Sequence, residues 1–247
     1  MMPGLRRANA VVGVIHLAQA AAIAALSNGF AIPVLVAFQG GPPGTPLPAE
    51  QRVFSVSYGA GVVVFLLLAA GDHLLVAAPR LVNWYEANLR RGINYVRWAE
   101  YSISASVMIV LIAMLTGIVG LYALLGLVAV NASMIGFGLL MERTNQDRDT
   151  VVWLPFGLGC VAGIVPWVAM AIAFGGAVQE GSGPPGFVFA IFASLFIFFN
   201  CFALNQYLHY RRIGRWRDYL FAERGYLILS LLAKSALAWQ VFAGTLA

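Results

Sequence analysis

Seven long apolar segments alternate with short polar or glycine- and proline-rich segments along the 247 residues. A helix that crosses a bilayer needs about 20 predominantly apolar residues, and each of these segments reaches that length. The connections between them are short, so we expect one all-α, seven-transmembrane-helix domain over residues 1–247 and no soluble domain. The pattern predicts spans at about 9–37, 53–78, 95–117, 121–141, 151–175, 187–209 and 219–245.

Composition supports a membrane protein and excludes several other classes. Hydrophobic residues make up 61% of the chain, charged residues 10%, and the mean hydropathy is +0.82. A soluble domain carries roughly 25% charge. The two cysteines, Cys160 and Cys201, lie inside apolar segments, so we interpret them as reduced packing residues. The sequence contains no nucleophile–base set, metal cluster or phosphate-binding loop, so we do not expect an enzyme.

The arginines predict the orientation of the spans. With the N-terminus inside, 13 of the 14 arginines fall on the cytoplasmic side, and only Arg52 lies outside. Such a bias in short loops indicates orientation. We therefore expect a multi-pass protein of the cell membrane, surrounded by lipid, with a cytoplasmic N-terminus and an extracellular C-terminus. Topology then explains the net charge of +5, and no nucleic-acid partner is needed.

A cleaved signal peptide is the alternative for the first segment, because Arg6 and Arg7 precede an apolar run. The run exceeds the roughly 7–15 residues of a signal peptide's apolar region, and no small-residue cleavage site ends it. The sequence therefore favours a retained first span.

Lys234 is the single lysine of the chain and lies in the middle of the seventh span. A charged side chain at that depth costs about 3 kcal/mol on insertion scales and marks a functional site by default. All 14 other basic side chains are arginine. Lysine, unlike arginine, can lose its proton and condense with a carbonyl compound. The sequence therefore favours covalent attachment of a cofactor, with a structural ion pair as the alternative.

Glu100 in the third span is the candidate counter-ion for a positive charge at Lys234. Its alternative is an ion pair with Arg97, three residues earlier on the same helix. Ser104 lies one turn further along the same face and extends the polar surface. Asp72 in the second span is the competing acid.

Other polar and aromatic residues occur inside the spans. Buried histidines such as His16 and His73 are more often packing residues than proton relays, and both interpretations stay open. Asn131 is an isolated polar residue in the fourth span. Aromatic residues of the last three spans, including Phe199 and Trp239, form the core or line a ligand. The pair Gly159 and Gly163 allows close approach of a helix, within the bundle or from a second copy.

These residues resemble those of the retinal-binding rhodopsins, and in particular the heliorhodopsins, over essentially the whole chain. The resemblance rests on Arg97–Ser104 (RWAEYSIS), on Ala233–Gln240 (AKSALAWQ) and on the inverted orientation. Ordinary pumps of this fold carry a second acid further along the third helix. Here the corresponding positions are Ser104, Val107 and Leu111.

The resemblance implies specific roles for these residues. Lys234 would hold all-trans retinal as a protonated Schiff base and Glu100 would be its counter-ion. His16 and His73 would line a polar cytoplasmic cavity and influence the departing proton. The resemblance also implies a small β-hairpin in the first outer loop and a homodimer. The polar network and the walls around the chromophore would be completed by Ser104, Asn131, Ser230, Phe199 and Trp239.

Three functions from different classes follow. The first is a light sensor with a slow photocycle that signals through a cytoplasmic or membrane partner. The second is a light-driven or light-gated ion transporter. The third is a colourless carrier or binding protein in which Lys234 and Glu100 form an ion pair. Visible colour after retinal is added separates the third from the other two, and light-induced pH changes separate the first from the second.

Overall fold

A computed structural model describes residues 3–181 and 183–247. Side chains are described for the same residues except residue 3. Within these ranges seven helices are long and apolar enough to cross a membrane, which confirms the predicted number of spans. A short helix, a two-stranded sheet, a 3₁₀ turn before the last long helix and a π turn after it make up the other elements of the described residues. In chain order the elements are α1 (Pro3–Leu26), β1 (Ala31–Val36), β2 (Gln51–Ser57), α2 (Tyr58–Ala77), α3 (Val82–Arg90), α4 (Tyr95–Leu115), α5 (Leu121–Thr144), α6 (Leu154–Gln179), α7 (Gly186–Tyr210), a 3₁₀ turn (Gly214–Arg217), α8 (Tyr219–Val241) and a π turn (Phe242–Leu246).

The first connection differs from the predicted spans. The apolar segments at 9–37 and 53–78 were expected to be helical throughout, but their facing ends form an antiparallel hairpin of β1 and β2. Its register joins Ala31 to Ser57 and Val36 to Gln51, with a bulge after Val34. A short apolar run rich in β-branched residues fits a strand as well as a helix, so composition misplaced these two boundaries. The hairpin that the resemblance implied is present.

Local signals explain why the helices stop on either side of the hairpin. Ser27 donates its hydroxyl to the Ile23 carbonyl at 2.6 Å and lies at the end of α1. Ser57 then caps α2 by accepting a hydrogen bond from the Ala60 amide at 3.4 Å. Serine competes for backbone hydrogen bonds at helix ends, so it favours these boundaries.

The two ends of the bundle are built differently. At one end, here called the α3 end, Leu5 of α1, Val76 of α2 and Tyr85 and Leu89 of α3 form a small apolar cluster. At the other, the hairpin end, the Leu35 amide donates to the Val119 carbonyl at 2.9 Å in the turn between α4 and α5. The hairpin therefore covers one end of the bundle, and α3 covers the opposite end.

The interior of the bundle changes from polar to apolar along its axis. The main core of the hairpin half is apolar and is contributed by all seven long helices; its members include Ile23, Phe65, Ile109, Leu127, Met170, Ile191 and Leu237. In the described residues, the buried charged side chains lie between Lys234 and the α3 end: Glu86, Arg97, Glu100, Glu142, Glu223 and Lys234. Buried charge among the described residues is therefore concentrated in the α3 half.

Close packing of α4 against α5 depends on a glycine. A Cβ atom at Gly138 would overlap the six-membered ring of Trp98 on α4. Gly136, on the same helix, has no atom within 4 Å of the corresponding position. Both glycines lie inside α5, but only Gly138 has a neighbouring side chain close to the position that a Cβ atom would take.

We expect Gly138→Ala to destabilise the protein by about 1–3 kcal/mol, because the new methyl group overpacks the Trp98 ring. Gly136→Ala is the matched control and should be neutral or slightly stabilising, since alanine is the better helix former. Thermal unfolding of the purified proteins in one detergent measures the difference. Equal midpoints for the two variants would contradict the packing described here.

Candidate functional site

Lys234 and Glu100 form a buried ion pair between α8 and α4. The Lys234 Nζ lies 3.0 Å from each carboxylate oxygen of Glu100 and 3.2 Å from the Ser230 hydroxyl. The side chains are 4% and 6% exposed. Tyr101 closes one side, with its ring centre 4.9 Å from Nζ. The structure therefore brings together the two residues that the sequence singled out as amine and counter-ion.

Arg97 does not pair with Glu100, although the two residues are one turn apart. Its guanidinium instead donates to Glu142 on α5 and to Glu223 on α8. Its central carbon also lies 3.9 Å from the centre of the Tyr226 ring, a cation–π contact. The alternative pairing of Glu100 with Arg97 is thus not formed.

Glu142 and Glu223 are buried residues that the sequence interpretation missed. Glu142 accepts from the Trp98 indole at 2.6 Å and from the Asn94 amide at 3.0 Å. Glu223 accepts from the Asn94 side chain at 2.6 Å. Both lie close to the ends of their helices, where an acid in sequence is typical of a solvated boundary. Arg97 was the signal that could have found them, because a buried arginine between spans requires acidic partners.

Lys234 lies in the wall of a cavity of about 400 Å³. Small-molecule and cofactor sites usually have about 300–1,000 Å³ and mostly apolar walls with a few polar groups. Most of the wall here is apolar, and aromatic rings from four helices border it: Trp98, Tyr101, Trp167, Phe199, Phe202 and Tyr226. The cavity therefore suits a long apolar ligand with one reactive end at Lys234.

Three further predicted residues lie in this cavity wall. Ser104 and Ser230 are 0% and 1% exposed, on α4 and α8. Ser230 contacts Lys234, whereas the Ser104 hydroxyl has no hydrogen-bond partner in the described part of the chain. Phe199 on α7 packs edge-on against Trp167 with ring centres 5.4 Å apart. All three border the cavity, and their contact with a ligand stays a prediction.

Asn131 and Trp239 do not line the cavity. Asn131 is buried and donates to the Ser106 hydroxyl at 3.1 Å. Trp239 is 41% exposed and packs on Phe242. It follows Lys234 by five residues, and because a helix has 3.6 residues per turn this places it well around α8 from the lysine. The expectation that Trp239 forms a cavity wall is corrected accordingly.

His16 and His73 are buried together in the α3 half. Their rings stack with centres 5.8 Å apart and planes 7° from parallel. The His73 Nδ1 is 2.8 Å from the Asn9 side-chain oxygen, and neither nitrogen of His16 has a partner among the described residues. A second, much smaller cavity reaches His73. His16 is not among the residues that line this small cavity, so a polar cavity shared by both histidines and their role in proton movement stay predictions.

The two glycines at helical spacing on α6 make contacts within the chain. Gly159 faces Phe137 of α5, and Gly163 faces Met134 of the same helix. Both also border the large cavity. Within the chain they therefore serve close packing of α6 against α5.

The overall architecture is shared with a solved structure. The chain is similar to the light-driven proton pump LR (Mac) from Leptosphaeria maculans, with a TM-score of 0.68 over 97% of this chain and 93% of that one. Sequence identity is 16%, so the similarity shows the fold alone. No curated protein sequence matches the chain. The chain is therefore a multi-pass membrane protein with a microbial rhodopsin-like fold.

A family model narrows this class. The model described as Heliorhodopsin matches residues 5–246, which is nearly the whole chain. The chain belongs to the heliorhodopsin family. Membership implies a retinal chromophore and a protein that responds to light.

Proposed function

We propose that this protein is a light sensor that holds all-trans retinal on Lys234 as a protonated Schiff base, with Glu100 as the counter-ion. The observation that carries the proposal is the buried Lys234–Glu100 pair in the wall of a 400 Å³ cavity with aromatic sides. In the retinal-bound protein the Schiff-base nitrogen takes the place of the lysine ammonium. Retinal then supplies the absorption of visible light.

The residues around Lys234 suit this cofactor. Glu100 offers both oxygens to the one nitrogen, and Ser230 offers a third acceptor. Ser104 adds a hydroxyl whose hydrogen-bonding capacity is unused within the described chain. Phe199 and Trp167 provide flat apolar faces for a polyene. Each of these groups acts by binding, orienting or stabilising charge, and none supplies a chemical step.

Signalling is favoured over pumping by the distribution of charge. A pump needs proton-exchanging groups on both sides of the Schiff base. Here the interior of the hairpin half is apolar, and beyond Glu100 the same face of α4 offers Ser104, Met108 and Leu111. The alternative, a light-driven or light-gated ion transporter, would need a path through this apolar half.

The arginines support an orientation with the α3 end in the cytoplasm. Thirteen arginines belong to segments at the α3 end, and Arg52 lies on β2 at the hairpin end. The bias follows the positive-inside rule, so the N-terminus would be cytoplasmic and the C-terminus extracellular. The exposed basic surface formed by Arg211, Arg212, Arg215 and Arg217 suits an acidic signalling partner. We further propose that the protein is a homodimer in the cell membrane and is not itself an enzyme.

Lys234→Arg should fold but remain colourless after all-trans retinal is added, because arginine keeps the positive charge beside Glu100 and cannot form a Schiff base. The visible spectrum of the purified protein is the measurement, with the unchanged chain loaded in parallel. A visible band in the variant that survives removal of free retinal would refute attachment at Lys234.

Glu100→Gln should move the visible band to longer wavelength, because it removes the negative charge that stabilises the ground state near the nitrogen. The band should also be lost on alkaline titration at a pH lower by about 1–3 units, since the positive charge has lost its partner. Asp72→Asn is the control and should leave the band in place. If only the Asp72 variant shifted the spectrum, the counter-ion would have to be reassigned to α2.

Illumination of cells that contain the loaded protein should produce no sustained change in external pH. The reason is the apolar hairpin half, which offers no onward path for a proton. Cells with Lys234→Arg provide the baseline. A lasting light-dependent pH change that a protonophore abolishes would instead establish the transporter alternative.

A further inference from the structure

Asp72 is a buried acid that takes no part in the two ion-pair groups described above. Its side chain is 8% exposed on α2. It borders the smaller cavity in the α3 half together with His73, Arg97, Tyr101 and Glu223. Tyr101 also borders the large cavity, with its ring 4.9 Å from the Lys234 Nζ. Tyr101 therefore belongs to the walls of both cavities, the one that Asp72 borders and the one that Lys234 borders.

The two carboxyl groups that border this small cavity differ in their hydrogen-bond donors. Glu223 has a donor at each oxygen, the Asn94 side chain at one and Arg97 at the other. Asp72 has no hydrogen-bond donor at Oδ1 among the described residues. Its Oδ2 lies 3.9 Å from the His73 Nδ1, which is already 2.8 Å from Asn9. An ionised Asp72 would thus be an unpaired buried charge.

The groups that face Asp72 from the neighbouring helices give an ionised form little support. The nearby cations, Lys234 and Arg97, are each bound to carboxylates of their own. The nearby acids repel a further negative charge, and the remaining titratable neighbours are neutral in their usual resting forms. These facing groups are His16, His73, Tyr85, Arg97, Glu100, Tyr101, Glu223 and Lys234. A buried carboxyl group without donors adopts its neutral form.

We propose that Asp72 holds a proton in the dark and donates it towards Lys234 after light has displaced the proton there. This inference rests on the proposed function, because it requires a chromophore on Lys234. In the step, the O–H bond of Asp72 breaks and the proton binds to the free electron pair of the Lys234 nitrogen. Asp72 becomes a carboxylate and regains a proton from solution at the α3 end.

Infrared spectroscopy of the retinal-free protein tests the dark state directly. The chain has four aspartates, and Asp147, Asp149 and Asp218 are exposed, so ¹³C-labelled aspartate gives a selective probe of Asp72. At neutral pH we expect a carbonyl band of protonated aspartic acid that shifts with the label. Asp72→Asn should remove the band, and Asp149→Asn, the matched exposed control, should retain it. A spectrum of the labelled, unchanged chain that shows only carboxylate would overturn the proposal.

Flash photolysis of the retinal-loaded protein tests the donor role. Asp72→Asn should keep the visible maximum, because asparagine mimics a neutral acid. It should slow recovery of the dark state by about 10²-fold, a usual loss when a positioned acid is removed. A small membrane-permeable acid such as formate should restore the rate, which a purely structural defect would not allow. Unchanged recovery, or a slow recovery that formate does not rescue, would overturn the donor role.

The two proposals fail in distinguishable ways. If the unchanged chain does not become coloured with retinal, the proposed function fails whatever the infrared band shows. If colour forms at Lys234 and the protonated aspartic acid band is missing, only the role of Asp72 fails. Should Asp72→Asn fold poorly, the infrared spectrum of the labelled, unchanged chain decides the protonation state of Asp72 without a variant.

Discussion

The structure depends on the need to neutralise one ammonium group in the middle of a membrane-spanning bundle. An isolated charge there costs about 3 kcal/mol or more, so Lys234 requires a partner on a facing helix. Glu100 meets the requirement with both oxygens at 3.0 Å. This contact fixes the depth of α4 against α8 and places Tyr101 and Ser104 beside the same cavity. A single residue therefore determines where a chromophore can be held and which side chains surround it.

Glu100 is free to serve Lys234 because Arg97 is engaged elsewhere. Residues three apart on a helix readily form an ion pair, so Arg97 competes for Glu100 by position alone. Glu142 and Glu223 remove this competition by binding the guanidinium from two other helices. Loss of one partner from such a buried group usually costs about 3–5 kcal/mol. The group formed by Arg97, Glu142 and Glu223 thus leaves Glu100 available to Lys234 without bordering the large cavity.

The sequence was informative about features for which the bilayer allows a single arrangement. The number of spans and the need for a partner at Lys234 follow from what a bilayer tolerates, and the structure places Glu100 beside this lysine. It was less informative where two structures satisfy the same pattern, as in the apolar run that ends as β1. Trp239 was misplaced because its role was carried over from the resemblance without regard to its angle around α8. Glu142 and Glu223 were missed because acids close to helix ends resemble solvated ones until the helices are packed.

The four acids near Lys234 have different partners, which suggests how a change at Lys234 is transmitted. Glu100 faces an amine, Glu142 and Glu223 share an arginine, and Asp72 has no cation of its own. One site can assign different roles to acids that have different partners. All four lie between Lys234 and the α3 end, and the interior beyond the lysine is apolar. In the proposed light sensor, a proton displaced at Lys234 would therefore redistribute within the half of the bundle that carries the exposed arginines, and the electrostatic change would reach that surface.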